Sequence, residues 1–192
     1  NLNCLDIIKC VYNPALCRYL PLISLGRIDY NWSFTMHAEL KALEPCDILL
    51  LNGPNLNLLG TREPSLYGSE TLQTIESRLF ARVAETSLRL GCRQSNFEGE
   101  LVTLIQQTKT VGVKFLLLNA AAYTHTSIAI RDAVSAINIP FVEIHVSNVY
   151  KREPFRHHSY LSDKAEAVVC GLGGMGYDVA LDFALENLKG DL

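Results

Sequence analysis

The chain has 192 residues, 48% of them hydrophobic, and a formal charge of −3. That is apolar material for one substantial core, so one domain is expected. The interspersed 17 basic and 20 acidic residues leave no basic face for a nucleic-acid polymer. No uncharged apolar run approaches the ~18 residues of a membrane span. Six cysteines, at positions 4, 10, 17, 46, 92 and 170, form no C-x-x-C pair and read as free, mostly buried thiols in a reducing, cytoplasmic compartment.

Residues 1–46 show neither helical nor strand periodicity and hold four of the six cysteines. They are expected to be an irregular N-terminal extension, with residues 47–192 as the folded domain. Met36 lies just ahead of the first apolar strand and is expected to be the natural start.

From residue 47 a regular alternation begins. Asp47–Asn52 is a short apolar run, and Leu72, Ile75, Leu79, Val83 and Leu90 then mark one face of a helix within 70–90, with Gly91 as its stop. A weaker strand is expected at 93–97, a helix at 99–109, a strand at 114–118 and a helix at 126–137. Strands at 139–146 and 167–170 follow, then a helix carrying Tyr177, Leu181, Leu185 and Leu188. Five strands and about five helices, with continuously apolar strands, imply a doubly wound parallel sheet covered on both faces.

Gly171 to Gly176 matches the G-x-G-x-x-G dinucleotide pattern. That pattern needs a following strand with an acidic residue about twenty positions on. Only sixteen residues follow here, so the glycines are expected to form a tight strand-to-helix turn.

Doubly wound folds bind ligands beyond the carboxyl ends of their strands. Asn52, Asn55, Arg62 and Tyr67 follow the first strand. Asn119 and the Tyr123–Ser127 stretch follow the third. Glu143, His145 and Ser147 close the fourth, with Arg152, Arg156, His157 and His158 beyond. Glu143 and His145 share a strand face, with Cα atoms about 6–7 Å apart, so a carboxylate can orient an imidazole. Such a pair on a strand is more often structural than catalytic. Glu143, His145, His157 and His158 together lack any familiar metal-ligand spacing, so no metal is expected.

The rim offers amides, arginines, histidines, a tyrosine and hydroxyls, but neither a nucleophile elbow nor a phosphate loop. Arginines and a helix start near Thr126 suit an anionic, hydroxylated small molecule. A free phenol has a pKa of ~10, and Arg62 beside Tyr67 would stabilise its phenolate as a base. His145, held by Glu143, would be a general acid on the opposite side. Together these groups describe proton abstraction beside a carbonyl and loss of water, without a cofactor. A flavodoxin-like module binding a nucleotide or flavin is the alternative, and a catalytically dead homologue is another. The first would want a phosphate loop after strand one, where Pro54, Arg62 and Pro64 stand instead.

The stretches NGPNLNLLGTREPSLYG (52–68), QSNFEGEL (94–101), LNAAAYTHTSIAIRDA (118–133), EIHVSN (143–148), REPFRHHSYLS (152–162) and GLGGMGY (171–177) resemble type II 3-dehydroquinate dehydratases. These are the small enzymes of the shikimate (aromatic amino acid) and quinate pathways. The resemblance implies a flavodoxin-like fold with a five-stranded parallel sheet and helices on both faces. It implies that Tyr67 removes the C2 proton of 3-dehydroquinate, with Arg62 lowering its pKa. Asn55 would hold a water against the enolate. His145, oriented by Glu143, would protonate the departing C1 hydroxyl to leave 3-dehydroshikimate. Asn119, His125, Asp132, Arg156 and the backbone of Val146 and Ser147 would bind the substrate, with Arg152 on the closing-loop side.

Phe97 stands where many members of that family have His, and the 46-residue extension is foreign to it. The family's usual assembly is a homododecamer, a tetramer of trimers. It would let Asp132, seven positions after His125 on the same helical face, reach a neighbour's pocket.

Overall fold

The structure, a computed structural model, describes residues 42–61 and 70–189. The expectations for residues 1–35, Arg62 and Tyr67 lie outside the described residues. Five strands, β1 (Ile48–Asn52), β2 (Leu90–Gln94), β3 (Phe115–Asn119), β4 (Phe141–His145) and β5 (Ala167–Cys170), form one sheet in the order β2-β1-β3-β4-β5. Every adjacent pair is parallel. The described residues hold four α-helices: α1 (Leu72–Val83), α2 (Glu98–Val111), α3 (Ile128–Ile137) and α4 (Met175–Leu188).

Strand alternation sorts the core into two layers. Ile48, Leu50, Phe115, Leu117, Val142 and Ile144 face α1 and α4 through Ile75, Leu79, Tyr177, Leu181 and Ala184. Leu49, Leu51, Leu116 and Leu118 face α2 and α3 through Leu101, Ile105, Ile130 and Val134. β1, β3 and β4 are therefore buried on both faces, which is why β1 and β3 read as apolar runs, while β4 carries the buried Glu143 and His145 on one face. Each fully buried leucine contributes about 1.5–3 kcal/mol of transfer free energy.

The helix ends follow local chemistry. Thr71 and Ser127 cap α1 and α3, accepting from the N–H groups of Thr74 and Ile130. Gly112 and Asn138 close α2 and α3 in the left-handed region.

Three sequence expectations need correction. Gly91 does not stop a helix. α1 ends at Val83, whose carbonyl accepts both the N–H and the hydroxyl of Thr86. Gly91 instead lies inside β2, which runs over 90–94 rather than 93–97. A Cβ there would approach Cys46 Sγ to 2.8 Å, so the glycine admits close packing. His125 and Asp132 do not share a helical face: His125 ends a 3₁₀ turn (Ala121–His125), and Asp132 lies in α3, beyond the Ser127 cap. Finally, no α-helix links β4 to β5. Two 3₁₀ turns (Val149–Lys151 and Pro154–Arg156) and an irregular stretch make that connection. The 171–176 glycines do form the tight turn into α4, with Gly171 and Gly173 at φ 82° and 59°.

From β1 the chain steps outward to β2 and then returns to β3 on the other side of β1. The carboxyl ends of β1 and β3, where Asn52 pairs in register with Asn119, are thus the topological switch point.

Candidate active site

A cleft of about 210 Å³ opens at that switch point. Asn55 follows β1; Asn119 and His125 come from the end of β3; His145, Val146, Ser147, Arg152 and Arg156 come from β4 and beyond, and all of them line it. Leu56, Leu59 and Val149 supply an apolar portion of the wall. Three connections meet because a parallel sheet delivers all its carboxyl ends to one side.

The buried pair at the end of β4 carries the strongest electrostatics. Glu143 is fully buried, and its Oε1 lies 2.8 Å from His145 Nε2. Three hydroxyls also donate to this carboxylate: Thr124 and Ser159 (2.7 Å) to Oε1, and Ser162 to Oε2 at 2.5 Å. Burial alone would push the carboxyl pKa up. The donors from His145, Ser162 and Thr124 outweigh it and bring the value down to about 2. Glu143 is therefore an anion at neutral pH. It fixes Nε2 of His145 as a donor and leaves Nδ1 for the cleft. Ser159 Oγ in turn accepts the N–H groups of Leu161 and Ser162, which hold its hydroxyl in place.

Beside His145, the His125 ring stacks at 6.2 Å between centroids, tilted by 16°. Nδ1 of His125 donates to the His158 carbonyl at 2.7 Å. Burial and then the cationic neighbours hold its pKa below the ordinary value, against the raising effect of that hydrogen bond. A neutral His125 presents Nε2 as an acceptor for a hydroxyl.

The amides are held from beneath. Tyr177, fully buried on α4, accepts from Asn119 Nδ2 at 2.7 Å and donates to Asn52 Oδ1 at 2.9 Å. Burial drives its phenol pKa upward, so this hydroxyl stays a neutral bridge. Asn119 Oδ1 accepts the Ala121 N–H at 3.2 Å. Gly53 packs so close to the β3 exit that a Cβ would lie 2.5 Å from the Ala120 carbonyl oxygen. At the far rim, Arg156 Nε donates to Glu153 at 2.9 Å, and Arg152 lies 3.5 Å from both Ser147 Oγ and Glu153. Two guanidiniums thus stand at this rim, a donor geometry that suits an anionic group.

Of the residues singled out from sequence, Asn55, Asn119, Glu143, His125, His145, Val146, Ser147, Arg152 and Arg156 converge here. Asp132 does not: it is exposed on α3 and does not line the cleft. Thr124, Ser159, Ser162 and Tyr177 are the groups that sequence reasoning passed over. All four sit within the quoted stretches, but nothing in their spacing points to Glu143 or to the paired amides. Among the described residues, no group of three or more His, Cys, Asp or Glu is placed to hold a metal ion, and no helix is long and apolar enough to cross a membrane.

Switch-point cleft, five-stranded order and helices on both faces define a flavodoxin-like α/β protein, with a hydrogen-bonded Glu143–His145 pair at the cleft. The profile of the family described as dehydroquinase class II matches residues 46–185, and the chain belongs to that family. The chain is 57% identical over 141 residues to the 3-dehydroquinate dehydratase of Laribacter hongkongensis (strain HLHK9), covering 73% of this chain and 91% of that protein. It is 55% identical over 142 residues to that of Acinetobacter baumannii (strain AYE), with 74% and 94% covered. The crystal structure of type II dehydroquinase from Propionibacterium acnes superposes with a TM-score of 0.68 at 38% identity, over 74% of this chain and 98% of that one. That from Butyrivibrio crossotus DSM 2876 gives 0.69 at 37% identity, over 74% and 97%.

Proposed function

We infer that this chain eliminates water from 3-dehydroquinate to give 3-dehydroshikimate, through an enolate and without a cofactor, in the shikimate or quinate pathway. The observation that carries this reading is the ionised Glu143 bound to His145 on the wall of a cleft rich in amides and guanidiniums. Tyr67, its phenolate stabilised by Arg62, takes the C2 proton. Asn55 holds a water that stabilises the developing enolate. His145, with Glu143 bound at Nε2, gives its proton from the other side of the ring to the departing C1 hydroxyl. Asn119, neutral His125 and the Val146–Ser147 backbone hold the substrate's hydroxyls. Arg156 and Arg152 face its carboxylate.

The product is a conjugated enone and the substrate is not. Mixing the protein with 3-dehydroquinate should therefore raise ultraviolet absorbance. A flat trace together with tight flavin binding would favour a binding module instead. His145→Ala should lower kcat by about 10²–10⁴-fold with substrate binding roughly kept, and near-normal turnover in that variant would remove His145 from the mechanism.

We also propose that the chain assembles as a homododecamer, a tetramer of trimers, with Asp132 turned toward a neighbour's cleft. Its exposed position on α3, four residues after the exposed Ile128, supports this. Sedimentation at the mass of one chain would refute it. Cys46, Cys92 and Cys170 are all unpaired, which supports a reducing, cytoplasmic setting.

A further inference from the structure

Three of the rim connections are tied together by one residue, through its side chain and its main-chain carbonyl, that the mechanism above does not use. Asn96 lies two residues beyond β2. Its Oδ1 accepts the main-chain N–H of Asn55 at 2.9 Å and Nε2–H of Gln94 at 3.0 Å. Its carbonyl accepts the Tyr123 hydroxyl at 2.9 Å, from the connection after β3. Gln94 Nε2 also reaches the Gly53 carbonyl at 3.1 Å, so both ends of the Gly53–Asn55 turn are held from β2.

What is held is an unfavourable backbone. Asn55 sits at φ 65° and ψ 0°, a left-handed conformation that most side-chain-bearing residues avoid and that asparagine adopts more readily as a single residue. Such a residue persists only where its surroundings determine it. Asn55 is also exposed, so local packing does not supply that constraint. The constraint comes from hydrogen bonds on either side of it: its N–H donates to Asn96, and its carbonyl accepts the Leu58 N–H at 3.0 Å.

Resting on the reading that Asn55 serves the enolate, we propose that Asn96 is a positioning residue for the elimination, its Oδ1 locking the Asn55 main chain so that the Asn55 side chain meets the developing charge. Asn96 itself does not touch substrate. Both groups facing its Oδ1 are N–H donors, so the acceptor is what matters and the amide nitrogen is not needed. Aspartate keeps that acceptor in the same place, whereas alanine removes it.

The test compares kcat, KM and melting temperature for Asn96→Ala, Asn96→Asp, Asn55→Ala and the Asn55→Ala/Asn96→Ala double variant. Small misplacement of a reacting group costs rate more than binding, up to about 10²-fold. Asn96→Ala should lower kcat at least about tenfold with KM within about twofold, and Asn96→Asp should recover most of that loss. The double variant should be no slower than Asn55→Ala, because Asn96 acts only through Asn55. If the two losses multiply, if Asn96→Asp is as slow as Asn96→Ala, or if only the melting temperature moves, the proposal fails while the role of Asn55 stands. If Asn55→Ala alone keeps full kcat, the enolate role of Asn55 fails and this proposal falls with it.

Discussion

Glu143 gathers four donors in a fully buried position, and its charge has a consequence for acid stability. Its folded pKa of about 2 lies below the ordinary 4.5, so as pH falls the unfolded chain takes up this proton first. The stability it contributes is fully present above pH ~4.5 and is lost as pH falls toward ~2. Glu143→Gln keeps the shape and removes the charge. Urea unfolding across that window should show a flatter pH dependence for the variant. An equal slope in both proteins would mean that Glu143 is not held ionised.

In the proposed mechanism the Tyr67–Arg62 pair has an equally specific pH signature. A base must lose its proton before it acts, so kcat rises with pH through the phenol's pKa. Without the guanidinium that pKa returns toward ~10. Arg62→Ala should therefore be nearly inactive at neutral pH and partly rescued by raising it, whereas Tyr67→Phe should be inactive throughout. Removing both should cost much less than the sum of the two losses. An unchanged pH profile in Arg62→Ala would leave that arginine with substrate binding alone.

At the scale of elements, α4 does more than cover the sheet. Its Tyr177 reaches beneath the switch point and couples the last residues of β1 and β3. Tyr177→Phe would strand Asn119 Nδ2 and Asn52 Oδ1 in the interior, at a cost of about 1–3 kcal/mol. Asn119 would also lose its anchor, so KM should rise along with the loss of melting temperature. A variant with wild-type stability and KM would show the bridge to be dispensable. β1 and β3 are legible in the sequence because they are apolar on both faces, and β4 because it is buried on both. β2 was harder: it is an edge strand of mixed character, and Gly91 inside it mimics a helix stop. The β4–β5 connection has no period at all, yet it supplies Ser159 and Ser162.

At the scale of the molecule, the packed core of the described residues begins close to their N-terminal end. Leu43 is buried, with its N–H donated to Gln107 at 3.1 Å. We propose that residues before this point form a separate extension. A chain beginning at Met36 should fold and turn over as well as the full one. Insolubility or inactivity would put residues 1–35 in the working structure.

The sequence by itself determined the parallel sheet, the edge at which the site lies and the Glu143–His145 pair. Each depends on periodicity or on neighbours along one strand, which a linear text records. Only the tertiary structure decided what makes that pair an ionised carboxylate and an oriented imidazole. Thr124, Ser159 and Ser162 lie 16 to 19 residues from Glu143, and Tyr177 lies 125 from Asn52. Their hydroxyls arrive through an irregular loop and a docked helix. Burial makes those few donors decisive, because in the interior no water can take their place.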